Sequence, residues 1–280
     1  MREVDVSEIA DVVAKLSIEA CCELGADVMA ALETALEHEE SPTAREVLKE
    51  IIENDKIAAD ETVPMCQDTG VAVIFLEVGQ DVHFVGGDLT EAINRGVAQG
   101  YTEGYLRKSL VAHPLKRKNT GDNTPAVVHV EIVPGDRVRV RFAPKGGGSE
   151  NMSTVRMMAP AAGREGVKKF VVDWVSQAGA NPCPPVIVGV GLGGTFEKAA
   201  LLAKKALLRE IGERAKDPDD AQLERAILEE VNELGIGPQG FGGRITALEV
   251  FVESHPCHIA SLPVAVNLQC HAARHKEAVV

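Results

Sequence analysis

The stretch that decides the fold is Ala126–Phe142, AVVHVEIVPGDRVRVRF. Val128, Val130 and Ile132 alternate with His129 and Glu131. Beyond Pro134-Gly135-Asp136, Val138, Val140 and Phe142 alternate with Arg137, Arg139 and Arg141. Alternation with period two marks strands with one buried face, and Pro-Gly-Asp between two such runs is turn chemistry. The stretch therefore predicts a half-buried antiparallel hairpin. Its three arginines form either an anion site or a solvated face opposite Glu131.

Upstream, VAVIFLEV (Val71–Val78) is a continuous apolar run, the pattern of a buried strand. Roughly the first 60 residues read as helical, the N-terminal MREVDVSEIA included, with Ile9, Val12, Val13 and Leu16 at helical spacing, as are Val47, Leu48, Ile51 and Ile52. Ser41-Pro42 fits an N-cap followed by proline at the first helical position. Residues 88–112 read as a helix loosened by glycines, and 195–235 as a long helical tract. The C-terminal part, from Ile245 on, carries two strand-like runs with histidines and cysteines at their ends. No internal repeat or low-complexity linker interrupts the chain. The reading is α+β, an antiparallel sheet with a β-hairpin flanked by many helices, in a single domain over residues 1–280.

With 280 residues, 45% of them hydrophobic and 25% charged, the chain can bury a large core without disulfide or metal. A net charge of -13 argues against a nucleic-acid binder, which presents a basic face. It leaves room for a small anionic substrate in a locally positive pocket. The N-terminus lacks the charged-then-apolar pattern of a signal peptide, and no apolar run approaches the roughly 20 residues that span a bilayer. The expectation is a cytoplasmic protein. In that reducing compartment the six cysteines are not a disulfide framework. Cys21 and Cys22 lie in a helical pattern and read as small buried apolar residues.

GVGLGG has Gly189, Gly191 and Gly194 in G-x-G-x-x-G spacing between a strand and a helix. A dinucleotide site needs a second strand soon after that helix, ending near an acidic residue. The chain instead stays helical. The glycines then permit close backbone approach, or present amides to an anion at the helix start.

The chemistry lies in three turns, each presenting a cysteine: PMCQDTG (Pro64–Gly70), NPCPP (Asn181–Pro185) and NLQCH (Asn267–His271). The first places a thiol, an amide, a carboxylate and a hydroxyl at the entry to a buried strand. The spacings are too long for a zinc ribbon or a ferredoxin run. Three rigid turns could still bring three thiolates together, and three thiolates can hold a 4Fe–4S cluster with one iron open for Lewis-acid catalysis. Taken singly, Asp68 could cap its own turn, Arg107 could be a helix-surface cation, and His258 could be a satisfied buried histidine.

Six motifs in order, PMCQDTG, GYLRKSL, PKGGGSENMS, NPCPP, GVGLGG and HIASLPVAVNLQCHAARH, resemble the class I, iron–sulfur fumarase family, and more narrowly its N-terminal region as a separate α subunit. The related L-tartrate dehydratase α subunit shares them. The resemblance runs from about residue 10 to the C-terminus. It implies that Cys66, Cys183 and Cys270 ligate a 4Fe–4S cluster, and that Gln67 and Asp68 lie beside its open iron. It implies that Arg107 binds a substrate carboxylate, that the Gly147 amide contacts the substrate's other end, and that His258 reaches it too. Cys257 stands where a non-ligand residue is expected. The implied activity is reversible hydration of fumarate to L-malate, with L-tartrate dehydration as the alternative. The implied carbon base, a threonine, belongs to a separate β subunit, giving an expected α2β2 assembly. A different class also fits the C-terminal residues: His255, Cys257, His258, Cys270, His271 and His275 could form a zinc site in a non-enzymatic module. That reading leaves Cys66, Gln67 and Asp68 unexplained.

Overall fold

The computed structural model describes all residues, Met1–Val280. In chain order the elements are β1 (Arg2–Asp5), α1 (Val6–Cys22), α2 (Ala26–His38), α3 (Pro42–Glu61), β2 (Val71–Gly79), β3 (Val82–Val85), α4 (Leu89–Glu103), β4 (Val127–Val133) and β5 (Val138–Lys145). They continue with α5 (Gly147–Glu150), β6 (Thr154–Met158), α6 (Gly163–Ala178), β7 (Val186–Gly193), α7 (Phe196–Ala206), α8 (Pro218–Asn232), β8 (Ala247–His255), β9 (Leu262–Gln269) and β10 (Lys276–Val279). The fold is α+β, as the sequence predicts. None of its helices is long and apolar enough to cross a membrane.

The chain gathers into two compact units: Met1–Gly25 with Asn54–Gly147 and Arg274–Val280, and Ala26–Glu53 with Gly148–Ala273. The sequence reads as one uninterrupted domain because two of these crossings fall inside helices α3 and α5, where no linker composition marks them.

In the first unit a four-stranded sheet runs in the order β10-β5-β2-β4. β2 is antiparallel to β5 and parallel to β4. The predicted hairpin is therefore split. β4 and β5 belong to one sheet, but β2 lies between them. β2 is apolar along nearly its whole length and buried at most positions, so a central slot, with a ladder on both sides, suits it best. The Pro134-Gly135 turn spans it: Gln80 N donates to Val133 O (2.8 Å), Asp81 N to Gly135 O (3.0 Å) and Gly79 N to Arg137 O (2.9 Å). A consequence is that β4 becomes an edge, with Val130 57% and Ile132 67% exposed. The arginines of β5 likewise face other partners than Glu131. Arg141 Nη2 lies 2.8 Å from Glu77 of β2, and Arg141 Nε lies 3.2 Å from Glu277 of β10. Arg139 reaches the same two carboxylates. The row is an ion-paired face, only partly exposed.

Ile9, Val13 and Leu16 of α1, Ile74 and Leu76 of β2, Val97 and Tyr101 of α4, and Val140 and Phe142 of β5 form this unit's core. Here the glycines of α4 do not loosen the helix. A Cβ at Gly100 would sit 2.1 Å from Ser17 Oγ and 2.6 Å from Ala14 O, and one at Gly96 would sit 2.4 Å from Ala10 O. The missing side chains are what let α1 lie directly on α4. Helix α4 stops at Glu103, well before the predicted 112, because the chain turns at Gly104 and enters the left-handed region at Tyr105 (φ 52°).

In the second unit the sheet order is β6-β9-β7-β8, with β7 central, parallel to β8 and antiparallel to β9. Cβ atoms at Gly189 and Gly191 would lie 2.1 Å from Ala203 O and 2.0 Å from Ala199 O of α7. Close backbone approach accounts for these two glycines of the G-x-G-x-x-G run. The predicted long helical tract is two helices. Asp217 caps the second, accepting from Asp219 N at 2.8 Å, and Pro218 occupies its first position.

Two predictions follow from the first unit. In an exposed helix Gly→Ala stabilises by about 1 kcal/mol. Gly100→Ala should do the opposite, because the added carbon meets backbone and a buried hydroxyl, and overpacking costs about 1–3 kcal/mol. Urea unfolding of the chain measures this, and a gain in stability would show that α1 and α4 can separate cheaply. The second concerns Asp55 of α3, 1% exposed, whose Oδ2 has no hydrogen-bond partner. Burial pushes its pKa up from 3.8 to about 6, against the pull of the Asn54 amide and the Arg274 guanidinium. A raised carboxyl pKa means that stability is fully present below the unfolded value and falls as pH rises through the folded one. Wild type and Asp55→Asn should match near pH 4. Above about pH 7 the asparagine variant should be the more stable by about 3 kcal/mol. An asparagine variant that is less stable at neutral pH would show that the ionised carboxylate is favoured in the fold.

Candidate active site

The turn between α3 and β2 is held from several sides. Asp68 Oδ1 accepts from Gly70 N at 3.0 Å and from Ser109 Oγ at 3.3 Å, and Asp68 Oδ2 accepts from Gly147 N at 2.7 Å. The first bond is the turn cap that the sequence allows. The other two bring in segments about 40 and 80 residues away, which a mere cap does not need. The Gly147 amide, expected to contact substrate, thus seats Asp68. Arg274 Nη2 donates to the Asp68 carbonyl. Tyr101 Oη lies 2.7 Å from Thr69 O and 3.1 Å from Gly70 O. Burial holds the Tyr101 hydroxyl well above its ordinary pKa, so it remains a donor. Asn54 Nδ2 donates to Met65 O at 2.9 Å.

On this support Cys66 is half-buried and Gln67 exposed. Cys66 Sγ lies 3.4 Å from Asp68 N and 3.4 Å from Gln67 Oε1. Arg107 is not on a helix. It lies in the loop after α4, its side chain exposed, and its carbonyl accepts from Thr69 Oγ1 at 2.9 Å. The carboxylate and the arginine that the resemblance assigns to substrate are therefore on adjoining segments of one unit.

The second unit supplies the other two assigned ligands. Cys183 is exposed and sits in the left-handed region (φ 57°), with its N–H donating to Ala180 O at 3.0 Å. Cys270, half-buried, follows β9, and Gln269 Nε2 lies 3.7 Å from its Sγ. His271 N donates to Cys183 O at 3.2 Å, so the NLQCH and NPCPP turns are joined through their backbones. His258 lies on the exposed loop between β8 and β9. Its ring accepts from Ala260 N at 3.1 Å and its carbonyl from Ser261 N at 2.9 Å, both within its own turn. It is not a buried histidine. Cys257, on the same loop, lies 3.3 Å from Ser261 O.

The donor set fits an iron–sulfur cluster. No disulfide engages any of the six cysteines, and Cys66, Cys183 and Cys270 all reach the surface. Cys21 and Cys22 are fully buried, and burial pushes the Cys21 thiol up to about 12, which keeps it from serving as a thiolate. Soft thiolates in polar, accessible turns are the donors such clusters use. No group of three His, Cys, Asp or Glu side chains is gathered as a ready-made metal site.

Sequence reasoning missed Ser109, Tyr101, Asn123, Asn54 and Arg274. Asn123 and Tyr101 are wholly buried and Arg274 nearly so. A buried asparagine or arginine needs partners, but a single sequence does not show burial in a loop.

Comparison with known proteins identifies the chain's family. Residues 10–279 match the fumarate hydratase (Fumerase) family. The chain is 47% identical over 274 residues to the Methanocaldococcus jannaschii protein named "Putative L(+)-tartrate dehydratase subunit alpha", covering 95% of each chain. It is 33% identical over 272 residues to the L(+)-tartrate dehydratase subunit alpha of Escherichia coli K12, covering 96% of this chain and 89% of that one. Spanning both units and nearly the full length of these relatives, the chain belongs to the fumarate hydratase family of hydro-lyases.

Proposed function

We propose that this chain is the α subunit of an iron–sulfur hydro-lyase for a four-carbon 2-hydroxy dicarboxylate, with Cys66, Cys183 and Cys270 holding a 4Fe–4S cluster. The observation that carries the reading is the seating of Asp68. Donors from three segments fix its carboxylate in the turn that also presents Cys66 and Gln67. That much support suits a group that must stay in place while bonds change. The class I resemblance favours reversible hydration of fumarate to L-malate, and the names of the relatives favour L(+)-tartrate as a second reading.

When bound, the cluster supplies an open iron that acts as a Lewis acid toward the substrate hydroxyl. The chain's own residues do the rest. Arg107 offers a planar fork to one carboxylate. Asp68 accepts a hydrogen bond from the hydroxyl at carbon 2 and so orients it for departure as hydroxide, which takes up a proton from solvent to become water. Gln67, exposed beside the thiol, orients the same end. His258 reaches the substrate from its loop. The proton at carbon 3 leaves to a base on a β subunit, and the C–O and C–H bonds give way to the double bond. With tartrate the product is an enol, which becomes a 2-oxo diacid. The subunit names of the relatives support a separate partner subunit, and the assembly we propose is α2β2.

The test is a substrate panel on the anaerobically reconstituted complex with the candidate β subunit. Conversion of neither L-malate nor L(+)-tartrate would overturn the reading. Two variants sharpen it. Cys→Ser at 66, 183 or 270 should abolish or strongly reduce the visible absorbance of the cluster, while Cys21→Ser should leave it intact. A full cluster in Cys183→Ser would refute the ligand set. Arg107→Lys keeps the charge but loses the fork. It should lower kcat/KM about 10-fold or more, roughly 1.4 kcal/mol of transition-state binding, and unchanged kinetics would remove Arg107 from the site.

A further inference from the structure

The loop carrying Arg107 has little secondary structure of its own, and side chains bond four of its backbone groups. Thr69 Oγ1 donates to Arg107 O at 2.9 Å, and Asn119 Nδ2 donates to Lys108 O at 2.7 Å. Asn123 Oδ1 then accepts from both Ser109 N, at 2.8 Å, and Leu110 N, at 3.2 Å. The other end of the same amide, Nδ2, donates to Gly70 O at 3.1 Å. One fully buried side chain therefore joins the Arg107 loop to the turn of Cys66, Gln67 and Asp68.

The choice of residue follows from these demands. The position needs an acceptor and a donor on one short planar group, which the asparagine amide provides. It also sits at φ 65°, a left-handed backbone that asparagine tolerates better than most residues. Glutamine would add a methylene at a site with no exposure, and aspartate would lack the donor. Ser109 strengthens the link: its N–H is held by Asn123, and its hydroxyl lies 3.3 Å from Asp68 Oδ1. Asp68 and Arg107 are thus fixed against each other through the pair Asn123–Ser109.

We infer that Asn123 is a positioning residue that sets the spacing between the carboxylate of Asp68 and the guanidinium of Arg107, and with it the fit of a dicarboxylate substrate. The inference rests on the proposed reading of Arg107 as the substrate-carboxylate ligand. Asn123 touches neither substrate nor cluster. It acts through the loop, so its loss separates two groups that bind one molecule at two places. Misplacement on the scale of an ångström lowers catalysis by up to about 100-fold.

The test uses Asn123→Gly, which suits the left-handed backbone but removes the amide, and Asn123→Asp, which keeps the acceptor and removes the donor. In the full chain, amide hydrogen exchange at Ser109 and Leu110 should speed up in Asn123→Gly; unchanged exchange overturns the inference whatever the substrate proves to be. In the reconstituted complex both variants should retain the cluster's visible absorbance. Each should raise KM for the dicarboxylate and lower kcat/KM by roughly 10- to 100-fold. Combined with Arg107→Lys, the loss should be much smaller than the product of the two single losses, because both act on the same contact. A purely structural residue would lower the active fraction with KM unchanged and give multiplicative losses; either result overturns the inference. If Arg107→Lys alone has no effect, the reading of Arg107 fails, while the exchange result still judges the role of Asn123. Should Asn123→Gly not fold, Asn123→Asp is judged by the same KM and double-variant criteria.

Discussion

The close approach of Gly70 to β5 is the constraint from which the first unit's chemistry is built. Gly70 has φ 75°, and a Cβ there would lie 2.7 Å from Lys145 N. With only hydrogen at that place, the chain can turn sharply out of β2 and press against the end of β5. The two residues beyond Lys145 then bring the Gly147 amide onto Asp68. Both contacts depend on β2 lying directly beside β5. Its central place, enforced by an apolar run that needs cover on both sides, fixes where the Cys66 turn emerges.

The longer strands were legible because each had its own local period, whereas β1, β3, β6 and β10 were not. The run Val71–Val78 read as a buried strand and is one, and Val138, Val140 and Phe142 read as an inward face and are buried. Caps were legible too, as at Ser41-Pro42, where Ala44 N lies 3.4 Å from Ser41 Oγ. Pairing was not. A turn of Pro and Gly suits a hairpin and equally suits a span across a third strand, and only the competition of β2 for the central slot decides between them. The glycines of α4 misled in the same way. Propensity treats glycine as a helix weakener, whereas here it is a cavity matched to the backbone of α1.

At the site, the residues that carry chemistry were visible because they cluster in unusual local sequence. The residues that support them were not, because their partners are remote in the chain. Gly70 is bound by the side chain of a residue 53 positions away and Asp68 by one 206 positions away. Tyr101 illustrates the difficulty. In sequence it is an aromatic in a helical pattern, and only the structure shows its hydroxyl at the carbonyls of Thr69 and Gly70. Buried hydrogen bonds of this kind rigidify a site because none of the members can leave without stranding another.

The left-handed backbone at Cys183 bears on how this chain can change over time. A side chain in that conformation costs roughly 1–2 kcal/mol relative to glycine, so the cysteine at φ 57° is a residue the local backbone alone would not select. If Cys183 holds the proposed cluster, its sulfur is what keeps a side chain at a place that glycine would fill with less strain. A copy of this chain that had lost the cluster would be free to exchange that cysteine for glycine, so residue 183 would be an early position to drift.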